Sequence, residues 1–373
     1  MVDDRNPLGL AYLILDFIDG QSVDISAFVH GPPQDQRNTF YSQLIDVFAQ
    51  LRQLEFDVAG SLTPSSVSED EPGAVVVGPL LSIGLNQLHK DDPDTVTALP
   101  PARFHSTIDF AFHHLQLLRR SNELPEEDIT LKFAQKIVFA LHHMEGTIVR
   151  ATDPCLNHGP FVLAHSDLRW SNIIVDENLN IRGIIDWEWA GTVPRQMFVP
   201  PTWLAAREAT ALTGDANLKE YARFHAILTR KAAESAACRL LAEEWGPDLP
   251  HSLAYPLAVA LRHPMQAVDI FSSVIYPKGK QSLDEAIHHF FVEDGDNGPF
   301  ALQAQRYVEE SEEYKSYLQQ NGLYIEPQRP PTPPGIREMR KTLEKLESER
   351  EARELGSKER RARVAALLRH DEP

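Results

Sequence analysis

Apolar positions recur at helical spacing along most of the chain. Phe40, Leu44, Val47, Phe48 and Leu51 fall on one face of a helix predicted over 36–57. Comparable patterns predict helices over 104–120, 128–149, 217–245, 282–292 and 300–320. Between helices the pattern shortens into strands. The dense Leu, Tyr, Ile and Phe of 8–18 read as one, closed by the Asp19-Gly20 turn. Ala74 to Val77 reads as a short strand inside a long Ser/Pro/Gly/Asp-rich loop, 60–102. Asn172–Asp176 and Ile181–Asp186 read as a pair of strands, with Glu177-Asn178 as the hairpin turn between them. No internal repeat is visible.

The pattern ends at Gln328-Arg-Pro-Pro-Thr-Pro-Pro334, a proline-rich linker spanning 326–335. Residues 336–373 are almost all helix formers and charge; from 330 onward there are 11 basic and 9 acidic side chains. Ile336, Met339, Leu343 and Leu346 follow coiled-coil spacing for too short a run to define one. The tail is expected to be a solvated helix or disordered arm, with binding of a protein partner as the alternative.

Composition narrows the class. Hydrophobic residues make up 42% and charged residues 24%, enough to bury a real core. Asp and Glu number 54 against 36 Lys and Arg, a net charge of −18. Such a surface is unsuited to nucleic acid or an anionic membrane, and suits a small molecule, including a cationic one. Two cysteines, Cys155 and Cys238, make neither a disulfide framework nor a thiolate metal site, so reduced thiols in the cytoplasm are expected. The run Leu10 to Ile18 is short and carries Asp16, which fits neither a membrane span nor a signal peptide.

The chemistry concentrates in 163–190. Asp167 follows the apolar run Phe161 to Ala164, Asn172 opens a strand, and Asp186 ends the next. A hairpin between Asn172 and Asp186 would bring them together beside Asp167. Each residue alone is ordinary: a strand-end Asp is usually a turn residue and a lone His usually a satisfied core side chain. Their conjunction is what phosphoryl transfer needs, with one carboxylate to orient an attacking hydroxyl and two hard oxygen donors for Mg²⁺. The zinc-helix, nucleophile-elbow and Walker patterns are all incomplete here.

His165-Ser-Asp167-Leu-Arg-Trp-Ser-Asn172 followed by Ile185-Asp186-Trp-Glu188 resembles the signature of the aminoglycoside phosphotransferase (APH) family, a branch of the protein-kinase-like fold that includes choline kinases. Asn6-Pro-Leu-Gly9, Gly60-Ser-Leu62, Gly159-Pro-Phe161 and Pro200-Pro-Thr-Trp-Leu204 resemble fungal members of uncharacterised substrate. The resemblance covers about 6–320. It implies an α+β, predominantly helical kinase-like C-terminal lobe over 21–325 with a small catalytic β-hairpin. It implies ATP and Mg²⁺, with Asp167 as catalytic base, Asn172 and Asp186 as metal ligands, His165 as a scaffold residue and Glu188 near the metal. Ser166 stands where Gly is usual, and Arg169-Trp170 where His-Pro is usual.

The nucleotide-binding N-terminal lobe is expected to be largely absent, leaving residues 1–20 as its hinge strand. There is no Gly-x-Gly, and the first lysine is Lys90. Weak ATP binding by this chain is therefore expected. The two competing expectations are a phosphotransferase acting on a small-molecule hydroxyl and a catalytically impaired, pseudokinase-like binding module.

Overall fold

The structure, a computed structural model, describes residues 16–24, 28, 31–64, 75–91, 99–100, 102–205, 209–276 and 281–325. The strand expected over 8–18 lies mostly outside them, and its last residues, 16–18, are not in a strand. The linker and the tail also lie outside. The chain divides into two units, Met1–Ser316 and Tyr317–Pro373. The first contains the core and the site. Of the second, 317–325 are described, with the Leu323 and Tyr324 amides donating to the Leu318 carbonyl.

Helix α1, Gln34–Arg52, buries Phe40, Tyr41, Leu44, Ile45 and Phe48 on one face, as their spacing requires. It ends five residues before the predicted 57, because Glu55–Phe56 form strand β2 instead. The expected loop 60–102 holds more structure than its composition suggests. Gly60–Pro64 (β3) pairs with Val75–Gly78 (β4), and Ile83–Asp91 forms helix α2. Leu85 and Leu88 of α2 pack with Leu117 in a small cluster of their own.

Helices α3, Thr107–Glu123, and α4, Leu131–Ala151, start at Ser106 and Thr130, whose hydroxyls accept from the Asp109 and Phe133 amides. The helix predicted over 217–245 is two helices, α5 (Asp215–Ala232) and α6 (Ala236–Glu244). The break is local: the Ser235 hydroxyl caps the second by accepting from the Cys238 amide. Helix α7, Ala254–Arg262, lay outside the predicted set and is buried from Tyr255 to Leu261. A short helical stretch follows at Ala267–Ile275. Helices α8, Leu283–Asp294, and α9, Pro299–Gln320, match their predictions closely.

Two antiparallel sheets complete the α+β, predominantly helical architecture. In one, β5 (Phe161–Ala164) and β8 (Gly191–Pro194) pair at the centre, and the strand order is β2-β5-β8-β3-β4. Gly60 in β3 has no room for a side chain, since a Cβ would lie 2.1 Å from the Gly78 carbonyl oxygen. The other sheet is the expected hairpin, β6 (Ile173–Val175) with β7 (Ile181–Ile184), joined on its outer edge by β1, Gln21–Ser22. The Asp176 carboxylate closes the hairpin turn by accepting from the Asn178 and Asn180 amides and the Asn180 side chain. No described helix is long and apolar enough to cross a membrane.

One charged contact ties α1 to α6. Arg52 is 2% exposed, and its guanidinium donates to both oxygens of Glu244, with a further bond to Glu55 at 2.7 Å. Removing Glu244 takes away three of the four bonds of this buried guanidinium and leaves it only the half-exposed Glu55. Glu244→Ala is expected to cost about 3 kcal/mol, and Arg52→Met in the same chain to restore much of it. Urea unfolding of the single and double variants measures this; a Glu244→Ala cost below about 1 kcal/mol would show that Arg52 is rehydrated.

Candidate active site

The segment from β5 to β6 is held by its own side chains. The Asn172 side-chain amide donates to the Asp167 carbonyl at 2.8 Å, and the Leu168 amide donates to the His165 carbonyl. Trp203 donates from Nε1 to the Leu168 carbonyl at 2.7 Å. Trp170 sits beneath the loop, its ring centroid 4.2 Å from Trp203, 4.7 Å from Phe28 and 5.9 Å from Phe40 of α1. The hydrophobic face of α1 thus supports the loop. Ser22, beside the hairpin, donates to the Ser171 carbonyl.

The hairpin brings its two ends together. Ile173 faces Ile184 in the ladder, and the Ile185 amide donates to the Asn172 carbonyl at 3.0 Å. His165 Nε2 lies 2.9 Å from the Ile185 carbonyl, to which its proton is donated, and its ring lies 4.6 Å from that of Trp187. His165 Nδ1 is buried with no partner. At Asp186 the backbone turns left-handed, with φ 69° and ψ 46°. Aspartate tolerates this better than most residues, but it remains a strained conformation of the kind found at working sites.

These elements border a cleft of about 1140 Å³. His165, Asp167, Asp186 and Glu188 all line it, together with Arg169. Asn172 is buried and is not part of the lining. The structure therefore brings four of the five residues singled out in the sequence to one cavity and links the fifth to Asp167 through its backbone. The Asp167 carboxylate pairs through Oδ2 with Arg169 at 2.8 Å, and Arg169 is largely exposed.

Residues the local pattern does not reveal also belong here. Arg262 and His263, at the end of α7, line the cleft with Trp203. Arg262 donates to the Met197 carbonyl, and desolvation pulls its guanidinium down to about 10. Partial desolvation within the cleft holds the His263 imidazole below its ordinary value; the Arg262 charge adds to this and the Asp167 carboxylate opposes it. Asp167 and His263 line the same cleft. Only long-range packing brings α7 here, so no sequence spacing announces it.

Among the described residues no three His, Cys, Asp or Glu side chains gather closely enough to hold a metal ion unaided. By chemistry alone the side-chain oxygens of Asn172 and Asp186 are of the hard type that Mg²⁺ takes, with only that of Asp186 on the cleft wall. The Asn172 amide nitrogen is committed to the Asp167 carbonyl, which directs the donor role to its oxygen.

The loop from His165 to Asn172, the hairpin and the left-handed Asp186 thus border one cleft. The chain belongs to the phosphotransferase enzyme family, APH, whose family model matches residues 1–197. Over 111 residues it is 31% identical to Clavilactone A biosynthesis cluster protein Y of Ampulloclitocybe clavipes, a match covering 29% of this chain and 27% of that protein. Among solved structures, the Plasmodium vivax ethanolamine kinase Pv091845 aligns with a TM-score of 0.36 and 15% identity, over 79% of this chain and 63% of its own.

The His165 bond to Ile185 couples the loop to the end of the hairpin. His165→Ala is expected to destabilise the chain by about 1–3 kcal/mol, since it leaves the Ile185 carbonyl unpaired. Chemical denaturation measures the loss, and Trp187 emission should shift as its ring neighbour disappears. An unchanged midpoint would show that the loop is held without this bond.

Proposed function

We propose that this cleft transfers the terminal phosphoryl group of ATP to a hydroxyl group of a small molecule. The observation that carries the reading is the meeting of Asp167 and Asp186 on one cleft, with Asn172 bonded to the backbone of Asp167. Membership of a phosphotransferase family supports it. Asp167 orients the acceptor hydroxyl and takes its proton, using Oδ1 while Oδ2 stays paired with Arg169. The acceptor oxygen forms a bond to the γ-phosphorus, and the bond to the bridging oxygen breaks, releasing ADP. Asn172 and Asp186 would hold Mg²⁺, which when bound neutralises phosphate charge. His165 and Trp203 border the cleft and act as positioning residues, since each donates to a backbone carbonyl of the loop or hairpin. Glu188 borders the same wall, placed to hold water or a second oxygen contact near Asp186.

The competing reading is a module that binds a small molecule and transfers nothing. It draws on the Asp167 carboxylate being already paired with Arg169 and on Asn172 lying buried outside the cleft lining. The two readings part at Asp167. If transfer occurs, Asp167→Asn should lower the rate of acceptor-dependent ADP release by about 10²–10⁴-fold while leaving acceptor affinity nearly unchanged. A coupled ADP assay with a panel of alcohols measures it. ADP release that is indifferent to Asp167, or absent with every acceptor, favours the binding module.

A further inference from the structure

We infer that the acceptor is an uncharged alcohol with an apolar body, not a polycation. This rests on the phosphotransferase reading for the word acceptor, but the cleft's own chemistry carries it. The chain's acidity suggests a cationic partner when averaged over the whole sequence. The cleft does not share that acidity. Four carboxylates line it, Glu126, Asp167, Asp186 and Glu188, against the guanidinium groups of Arg169 and Arg262 and the imidazole of His263. Asp167 is already paired with Arg169, and Asp186 is assigned to the metal. That leaves Glu126 and Glu188 against Arg262, too small a surplus to desolvate an ammonium-rich ligand favourably.

Most of the remaining lining is apolar, with Gln87, Ser121, Ser166, Thr202 and Gln266 as polar interruptions. Ile83 and Leu88 of α2, Leu124 and Val199 face the same space as Trp203. Two large apolar side chains on the cleft are open to solvent, Ile83 at 43% and Met265 at 85%. Exposed apolar side chains around a concave site mark where a ligand removes them from water. Trp203 adds a rigid aromatic wall, held by its bond to the Leu168 carbonyl and by contact with Trp170. Leu168 follows Asp167 directly, so a body resting on Trp203 lies beside the base.

The test is binding without nucleotide, so that it does not depend on phosphoryl transfer. The full chain is titrated with 2-naphthalenemethanol, choline and kanamycin and followed by ligand-observed NMR. The alcohol is expected to bind at least about tenfold more tightly than either cation, the scale set by burying one ring against apolar walls. Ile83→Glu and Met265→Glu, both at exposed positions, should each weaken the alcohol severalfold and narrow the gap to the cations, with unchanged thermal melting. A cation that binds as tightly as the alcohol, an alcohol that fails to bind at millimolar concentration, or an alcohol affinity unmoved in both variants overturns the inference. A chain that selects the alcohol but shows no Asp167-dependent ADP release defeats the phosphotransferase reading and leaves the cleft's selectivity standing.

Discussion

The geometry of the site depends on one amide. The Asn172 side chain donates to the carbonyl of Asp167 and closes the loop between them into a ring. A hydrogen bond of this kind contributes only about 1 kcal/mol by itself. Its effect is larger than its energy, because it fixes the backbone from which the Asp167 carboxylate projects. It also settles how the Asn172 side chain is turned, leaving the oxygen as the acceptor, which the Ser171 hydroxyl reaches at 3.3 Å.

The neighbouring contacts extend this one. His165 before the loop fills the Ile185 carbonyl after it, Trp203 fills the Leu168 carbonyl, and Ser22 fills that of Ser171. Carbonyls that a short irregular loop would otherwise leave unpaired are satisfied by side chains from three parts of the chain. Beneath them Trp170 rests on Phe40 and Phe28, so the amphipathic face of α1 sets the height of the loop. The strain at Asp186 is tolerable for the same reason: the hairpin ladder and the His165 bond hold its preceding residue in place.

Most of this was legible in the sequence where the information is local. The spacing from Asp167 to Asn172, the two short β-rich runs with a turn between them and the periodic face of α1 depend on near neighbours, and each appears in the fold. What escaped is of two kinds. Some breaks rest on one side chain, as where the Ser235 cap splits a continuous helical pattern into α5 and α6. Others rest on tertiary burial. Helix α7 is buried on every side from Tyr255 to Leu261, so it has no polar face and no period to detect. Because α7 was invisible, so were Arg262 and His263 at its end. Strand β2 is two residues long and exists because β5 offers it an edge.

The same division between local and averaged information governs the reading of charge. A net charge of −18 is a property of the whole chain, and among the described residues only Glu126, Asp167, Asp186 and Glu188 bring carboxylates to the cleft. Surface charge at that distance is screened within about 8 Å at physiological ionic strength and steers encounters more than it sets specificity. Specificity is decided where water is excluded, among the side chains that line the cleft. There the carboxylates are few, one is paired with Arg169, and the walls around Trp203 are apolar. An acidic protein can therefore present a cleft with mainly apolar walls, and its overall charge carries little information about what enters it.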